Sequence, residues 1–106
     1  MKALKFVGSS LEDLKDFPAE AKRAVGFELD AIQRGLNPSD WKPMTLVGSG
    51  AYEVRIHVLG EWRIINVAKF AESVFVLHSF QKKTQKTRPA DIEIARRRYR
   101  QIEEEL

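Results

Sequence analysis

Apolar and polar positions repeat with two different periods along this chain, and the changes of period divide it into elements. Lys2 to Val7 reads as a first strand. Ser9-Ser10-Leu11-Glu12 has the form of a capping box, in which Ser9 and Glu12 satisfy each other's exposed amides. A short helix to about Phe17 follows. Pro18 suits the first turn of a second helix, because its missing N–H is not needed there. Ala21, Val25, Leu29 and Ile32 then recur at helical spacing and mark one buried stripe. Gly35 is a suitable stop, which makes the two helices an α-hairpin.

The period falls to two after a loop from Leu36 to Met44 that is rich in proline and turn formers. Thr45 to Val47 reads as a short strand. In Ala51 to Val58, Tyr52, Val54, Ile56 and Val58 share one face, and Glu53, Arg55 and His57 share the other. Leu59-Gly60-Glu61 reads as a tight connection to a return strand, Trp62 to Ala68. Ser73 to Phe80 is a further strand. Short spacings of this kind imply antiparallel hairpins. Helical spacing resumes at Pro89, with Ile92, Ala95, Tyr99, Ile102 and Leu106 on one face. The three glutamates near its end oppose the helix dipole, so the last turn is expected to fray. The predicted fold class is α+β, in a single domain over 1–106. It is a small twisted antiparallel sheet with an N-terminal α-hairpin packed on one face and a C-terminal helix. The second sheet face is expected to lie open to solvent.

Charge changes this picture more than composition does. The formal net charge is only +3. Yet residues 81–100 hold eight of the 18 Lys and Arg against two acidic residues, and nothing acidic interrupts Lys82, Lys83, Lys86 and Arg88. A concentrated basic segment is the footprint of a polyanion, and an acidic protein is the competing partner. There are no cysteines, which excludes a disulfide framework and cysteine-ligated metal and fits a reducing compartment. No apolar run approaches the ~20 residues of a membrane span, and the N-terminus is a poor secretory signal, so a cytoplasmic location is expected.

The candidate chemistry lies on the polar strand face. A three-residue connection at Leu59–Glu61 would set His57 opposite Arg63, bringing an imidazole and the guanidiniums of Arg55 and Arg63 onto one surface. Arginines bind phosphate bidentately, and a histidine can move a proton near neutral pH. The alternative is an ordinary solvated face with a salt bridge. His78 is expected to point toward the hairpin helices as a satisfied core or edge histidine. Trp41 can stack a base or cover the core edge. No phosphate-binding glycine loop, metal-ligand spacing or Ser-His-Asp arrangement is present, so neither a metal nor another cofactor is expected. Any catalysis falls to Lys, Arg, His and acidic groups.

Trp41-Lys42-Pro43-Met44, Gly50-Ala51-Tyr52-Glu53-Val54-Arg55, Trp62-Arg63-Ile64 and Phe80-Gln81-Lys82-Lys83-Thr84-Gln85-Lys86-Thr87, in this order, closely resemble the phage-derived, HigB-like branch of the RelE/ParE toxin superfamily. Ile92-Glu93-Ile94-Ala95 with Arg98 continues the resemblance over almost the whole chain. It implies the toxin of a type II toxin–antitoxin pair, acting as a ribosome-dependent mRNA endoribonuclease. In that reaction the ribose 2′-OH attacks the adjacent phosphate without a metal. Arg55 and Arg63 would contact the scissile phosphate, with His57 as the candidate general base. Lys42, Lys82, Lys83, Lys86 and Arg88 would hold RNA. The implied partners are mRNA, the ribosome and a helix-turn-helix antitoxin. Tyr99, deep in the last helix, matches poorly the late catalytic tyrosine of RelE-like toxins. The superfamily also offers a ParE-like gyrase inhibitor without nuclease activity, and a non-catalytic RNA-binding regulator is a third reading.

Overall fold

The computed structural model describes residues 1–106. Its elements run β1 (Ala3–Phe6), α1 (Ser10–Lys15), α2 (Ala19–Gln33), β2 (Trp41–Pro43), β3 (Ala51–Ile56), β4 (Trp62–Val67), β5 (Ser73–Gln81) and α3 (Pro89–Glu105). They form an α+β fold around one five-stranded sheet of order β1-β5-β4-β3-β2.

The sheet is mixed rather than wholly antiparallel. β1 runs parallel to β5, with Ala3 opposite Ser73 and Phe6 opposite Val76, while the other pairs are antiparallel. This contact joins segments some 70 residues apart and has no local signature. The segment Thr45–Val47 is a turn, not a strand. The short strand lies earlier, at Trp41–Pro43, inside the segment expected to be a loop. Pro43 is tolerated there because β2 is an edge strand and needs no donor on its outer side.

Each sheet face has its own core. Ala21, Val25, Leu29 and Ile32 of α2 pack with Val54, Ile56, Trp62, Ile64, Val74 and Val76. Ala95, Tyr99 and Ile102 of α3 pack on the other side against Ala51, Ile65, Val67 and Leu77. The second face is therefore not open throughout: α3 covers its apolar end. Gly48 lets α3 come this close, since a Cβ there would lie 2.6 Å from the Tyr99 ring. The Tyr99 hydroxyl donates to the Ser49 carbonyl at 2.6 Å and accepts from Lys69 at 2.7 Å. The helix extends to Glu105, whereas Leu106 is exposed and off the buried stripe.

Two local expectations change for physical reasons. Ser9 does not close a capping box. Its hydroxyl donates to Asp13 and accepts from Arg98, both at 2.9 Å. In β5 a bulge pairs Ile65 with His78 but Asn66 with Val76, leaving Leu77 as the extra residue. The Leu77 carbonyl, released from the ladder, accepts from Arg98 at 2.9 Å. The bulge also reverses the expected direction of His78. It faces α3 with Phe80, on the side opposite Val76, and is not aimed at the hairpin helices.

Candidate functional site

Beyond the cover of α3, the second face of β3 and β4 turns from apolar to charged. Arg55 lies directly opposite Arg63. The connection between the strands has five residues, not three, because pairing stops at Ile56–Trp62 and the chain turns through Leu59 (φ 55°) and Gly60 (φ 130°). The expected pairing of His57 with Arg63 is therefore replaced by an arginine–arginine pair. Like charges at one cross-strand position repel unless something between them compensates.

Glu53 supplies the compensation. It lies one pleat along the same face, its side chain fully buried. Its Oε1 is 3.6 Å from Arg63 Nε and 3.9 Å from Arg55 Nε, contacts set by charge rather than by formed hydrogen bonds. Its Oε2 accepts from the Thr87 hydroxyl at 2.6 Å, which ties the basic segment to the floor of the site. The sequence places Glu53 on the polar face, but periodicity carries no sign of this burial.

The two arginines differ in reach. The Arg63 side chain is 5% exposed and donates to the Trp62 carbonyl at 2.9 Å and to Glu61 at 3.1 Å. The Arg55 side chain is 31% exposed and lies 3.6 Å from Asp40. Arg55 is thus the guanidinium a ligand can touch, and Arg63 acts from behind it. Lys82 follows the end of β5, and its amide donates to the Glu61 carbonyl at 2.7 Å. Partial burial, with the nearby charges of Arg63, Lys42 and Arg55, lowers the Lys82 pKa. Lys42 lies opposite Glu53 on the same face, whereas Trp41 points to the other face and packs on Tyr52 at 5.2 Å. Trp41 is therefore not beside the arginines. Lys83 and Lys86 are exposed on the segment beyond β5. Arg88 instead sits at the N-terminal boundary of α3 and pairs with Asp91 at 3.1 Å.

His57 lies at the rim, between two carboxylates. Nε2–H donates to Asp40 at 2.6 Å, and Nδ1–H faces Glu61 at 2.9 Å. For both nitrogens to donate, the ring must carry both protons. The hydrogen bonds to Asp40 and Glu61 accordingly raise the His57 pKa, and the bond to His57 lowers each carboxylate's. A protonated imidazole with both nitrogens engaged has no lone pair to accept a proton, so this geometry does not suit the expected general base. Asp40 was not singled out in the sequence, since its loop gives no hint that it meets His57 and Arg55. No group of three His, Asp or Glu side chains is arranged to hold a metal. No helix is long and apolar enough to cross a membrane.

A family model for phage-derived Gp49-like proteins matches residues 12–100. The chain belongs to this family. The match runs from α1 through most of α3, so the Gp49-like region contains the whole charged cluster. No curated protein matches the chain.

Proposed function

We propose that this Gp49-like chain is the toxin of a type II toxin–antitoxin pair and cuts mRNA on the ribosome. The Gp49-like family is RelE-like and associated with toxin–antitoxin pairs, which supports the toxin reading. The observation that carries the chemistry is the Arg55–Arg63 pair, held over buried Glu53 with Lys82 beside it. A phosphodiester under attack gains negative charge on its non-bridging oxygens, and preorganised cations stabilise that charge best where water is partly excluded.

In the proposed reaction the 2′-oxygen bonds to the adjacent phosphorus and the bond to the 5′-oxygen breaks, leaving a 2′,3′-cyclic phosphate and a 5′-hydroxyl. Arg55 contacts the phosphate, and Arg63 adds charge from below. Lys82, with Lys42, Lys83 and Lys86, holds the strand. His57, whose pKa is raised by its two carboxylates, donates a proton to the departing 5′-oxygen once one of its N–H groups leaves Asp40 or Glu61. In this reading Glu61, about half exposed and hydrogen-bonded to both His57 and Arg63, takes the 2′-hydroxyl proton. The partner is a helix-turn-helix antitoxin that covers this surface.

The test is to map RNA 5′ ends in cells expressing the chain, beside the Arg55→Ala variant. The expected result is new 5′-hydroxyl ends within translated messages and growth arrest, both lost in the variant. Intact messages together with DNA damage signals would overturn the nuclease reading in favour of gyrase inhibition. Salt-sensitive RNA binding with neither cleavage nor toxicity would reduce the chain to a binding protein.

A further inference from the structure

A cleft opens beside the arginine pair, between β2 with the turn after it and the segment leading into α3. Its volume is about 370 Å³, within the range of small-molecule sites. Met44, Leu46 and Ile92 give it aliphatic walls, and Lys42 and Lys86 give it positive charge. No acidic side chain lines it. Thr87, also in the lining, donates to buried Glu53, and Lys42 lies directly across from Glu53 in the sheet. The cleft therefore adjoins the buried carboxylate over which the arginine pair is held.

A ligand for this cleft must pair an apolar body with an anionic group. A purely apolar ligand would leave both lysines without a counterion, and a bare anion would leave the aliphatic wall in water. A nucleotide meets both requirements at once. We infer that the cleft is a nucleoside subsite: it takes the base next to the scissile bond between Leu46, Met44 and Ile92, while Lys42 and Lys86 hold that nucleotide's phosphate. This rests on reading the arginine cluster as an RNA-cleaving surface, and it adds where the neighbouring base goes. It makes cleavage sensitive to the base there through the shape of the cleft and the hydroxyls of Thr45 and Thr87.

The test uses the full chain and the four ribonucleoside 5′-monophosphates, followed by amide chemical shifts. Shifts are expected to concentrate at residues 42, 44–46, 86–87 and 92. Leu46→Glu, a change at an exposed position, is expected to weaken binding by about tenfold or more with the circular dichroism spectrum unchanged. Shifts confined to Arg55, Arg63 and Lys82, with Leu46→Glu binding as wild type, would overturn the inference. So would a glutamate-rich peptide that shifts the cleft residues where mononucleotides do not. The two readings fail separately. If mononucleotides fill the cleft but ribosome-bound message stays intact, the nuclease reading falls, and with it the place beside a scissile bond, while the cleft stands as a nucleotide site. If message is cut while Leu46→Glu leaves both nucleotide binding and the flanking-base pattern unchanged, the subsite falls alone.

Discussion

The two faces of β3 and β4 are built from the same twelve residues, yet they obey different rules. Toward the hairpin helices, Val54, Ile56, Trp62 and Ile64 join a core that is apolar except for buried Asn66 and Ser79, which carry no charge. On the opposite face, Ala51, Ile65 and Val67 pack under α3, and beyond them Glu53 and Arg63 are buried without a matching set of hydrogen bonds. The apolar face is explained by the water it excludes. The charged face is not. Desolvating an ion pair costs several kcal/mol per ion, and well-packed apolar residues in its place are often as stable or more so. What the charged cluster contributes is therefore best sought in ligand binding, not in folding.

The largest expected effect comes from breaking the charged face on one side only. Glu53→Ala leaves Arg55 and Arg63 facing each other without their counter-charge, and about 3–5 kcal/mol of unfolding free energy should be lost. Replacing Glu53 and Arg63 together by leucine should recover most of that loss while leaving the chain unable to cut RNA. Urea unfolding followed by a cleavage assay on each variant reads both. A double variant as unstable as Glu53→Ala would mean that the cluster is needed to fold, and the contrast between the faces would fail.

Thr87→Val should come next, at about 1–3 kcal/mol, since it removes the donor from a buried carboxylate oxygen. Because Thr87 anchors the basic segment, amide hydrogen exchange should rise in residues 82–88 more than in the sheet. Uniform exchange would deny Thr87 that anchoring role. Ile64→Val, on the apolar face, should lower stability by only about 0.5–1.5 kcal/mol and leave cleavage per folded molecule unchanged. Lost activity there would show that the two faces are coupled through the strand.

The same contrast explains which parts of the molecule were legible in the sequence. Apolar periodicity marks residues whose environment is uniform, and it placed the α2 stripe, the Tyr52–Val54–Ile56 face and the buried Ala95, Tyr99 and Ile102. Arg55 and Arg63 were also on the expected face, though opposite each other rather than with His57. What stayed hidden depends on partners distant in sequence. The parallel contact of β1 with β5 is one case. The Leu77 bulge, whose freed carbonyl is taken up by Arg98, is another. Glu53 looks like any polar-face residue until Thr87 closes over it. The length of the β3–β4 connection is hidden as well, because Leu59 adopts a positive φ that side chains other than glycine rarely take.

The smallest effect is a pH dependence, and it turns on two histidines whose pKa values shift in opposite directions. His78 is buried against Asp91, and desolvation outweighs that partner to lower its pKa. Its contribution to stability is therefore present above the ordinary histidine pKa and lost as pH falls. At the rim, the hydrogen bonds of His57 to Asp40 and Glu61 outweigh desolvation and raise its pKa. Its contribution is full below its unfolded pKa and is lost as pH rises through the raised folded value. Asp40 and Glu61 are lowered, so theirs is present above the ordinary carboxylate range and lost as pH falls. The rim clasp is thus complete from mildly acidic pH up to the raised His57 pKa. His57→Gln should be less stable than wild type within that window, and the difference should shrink as pH rises beyond it. All three groups are about half exposed, so added salt should shrink the difference as well. Urea unfolding of both proteins across the range, at low and high salt, measures this. A difference that stays constant with pH would mean that His57 holds the rim by shape alone, and it would remove the imidazolium from the proposed proton transfer.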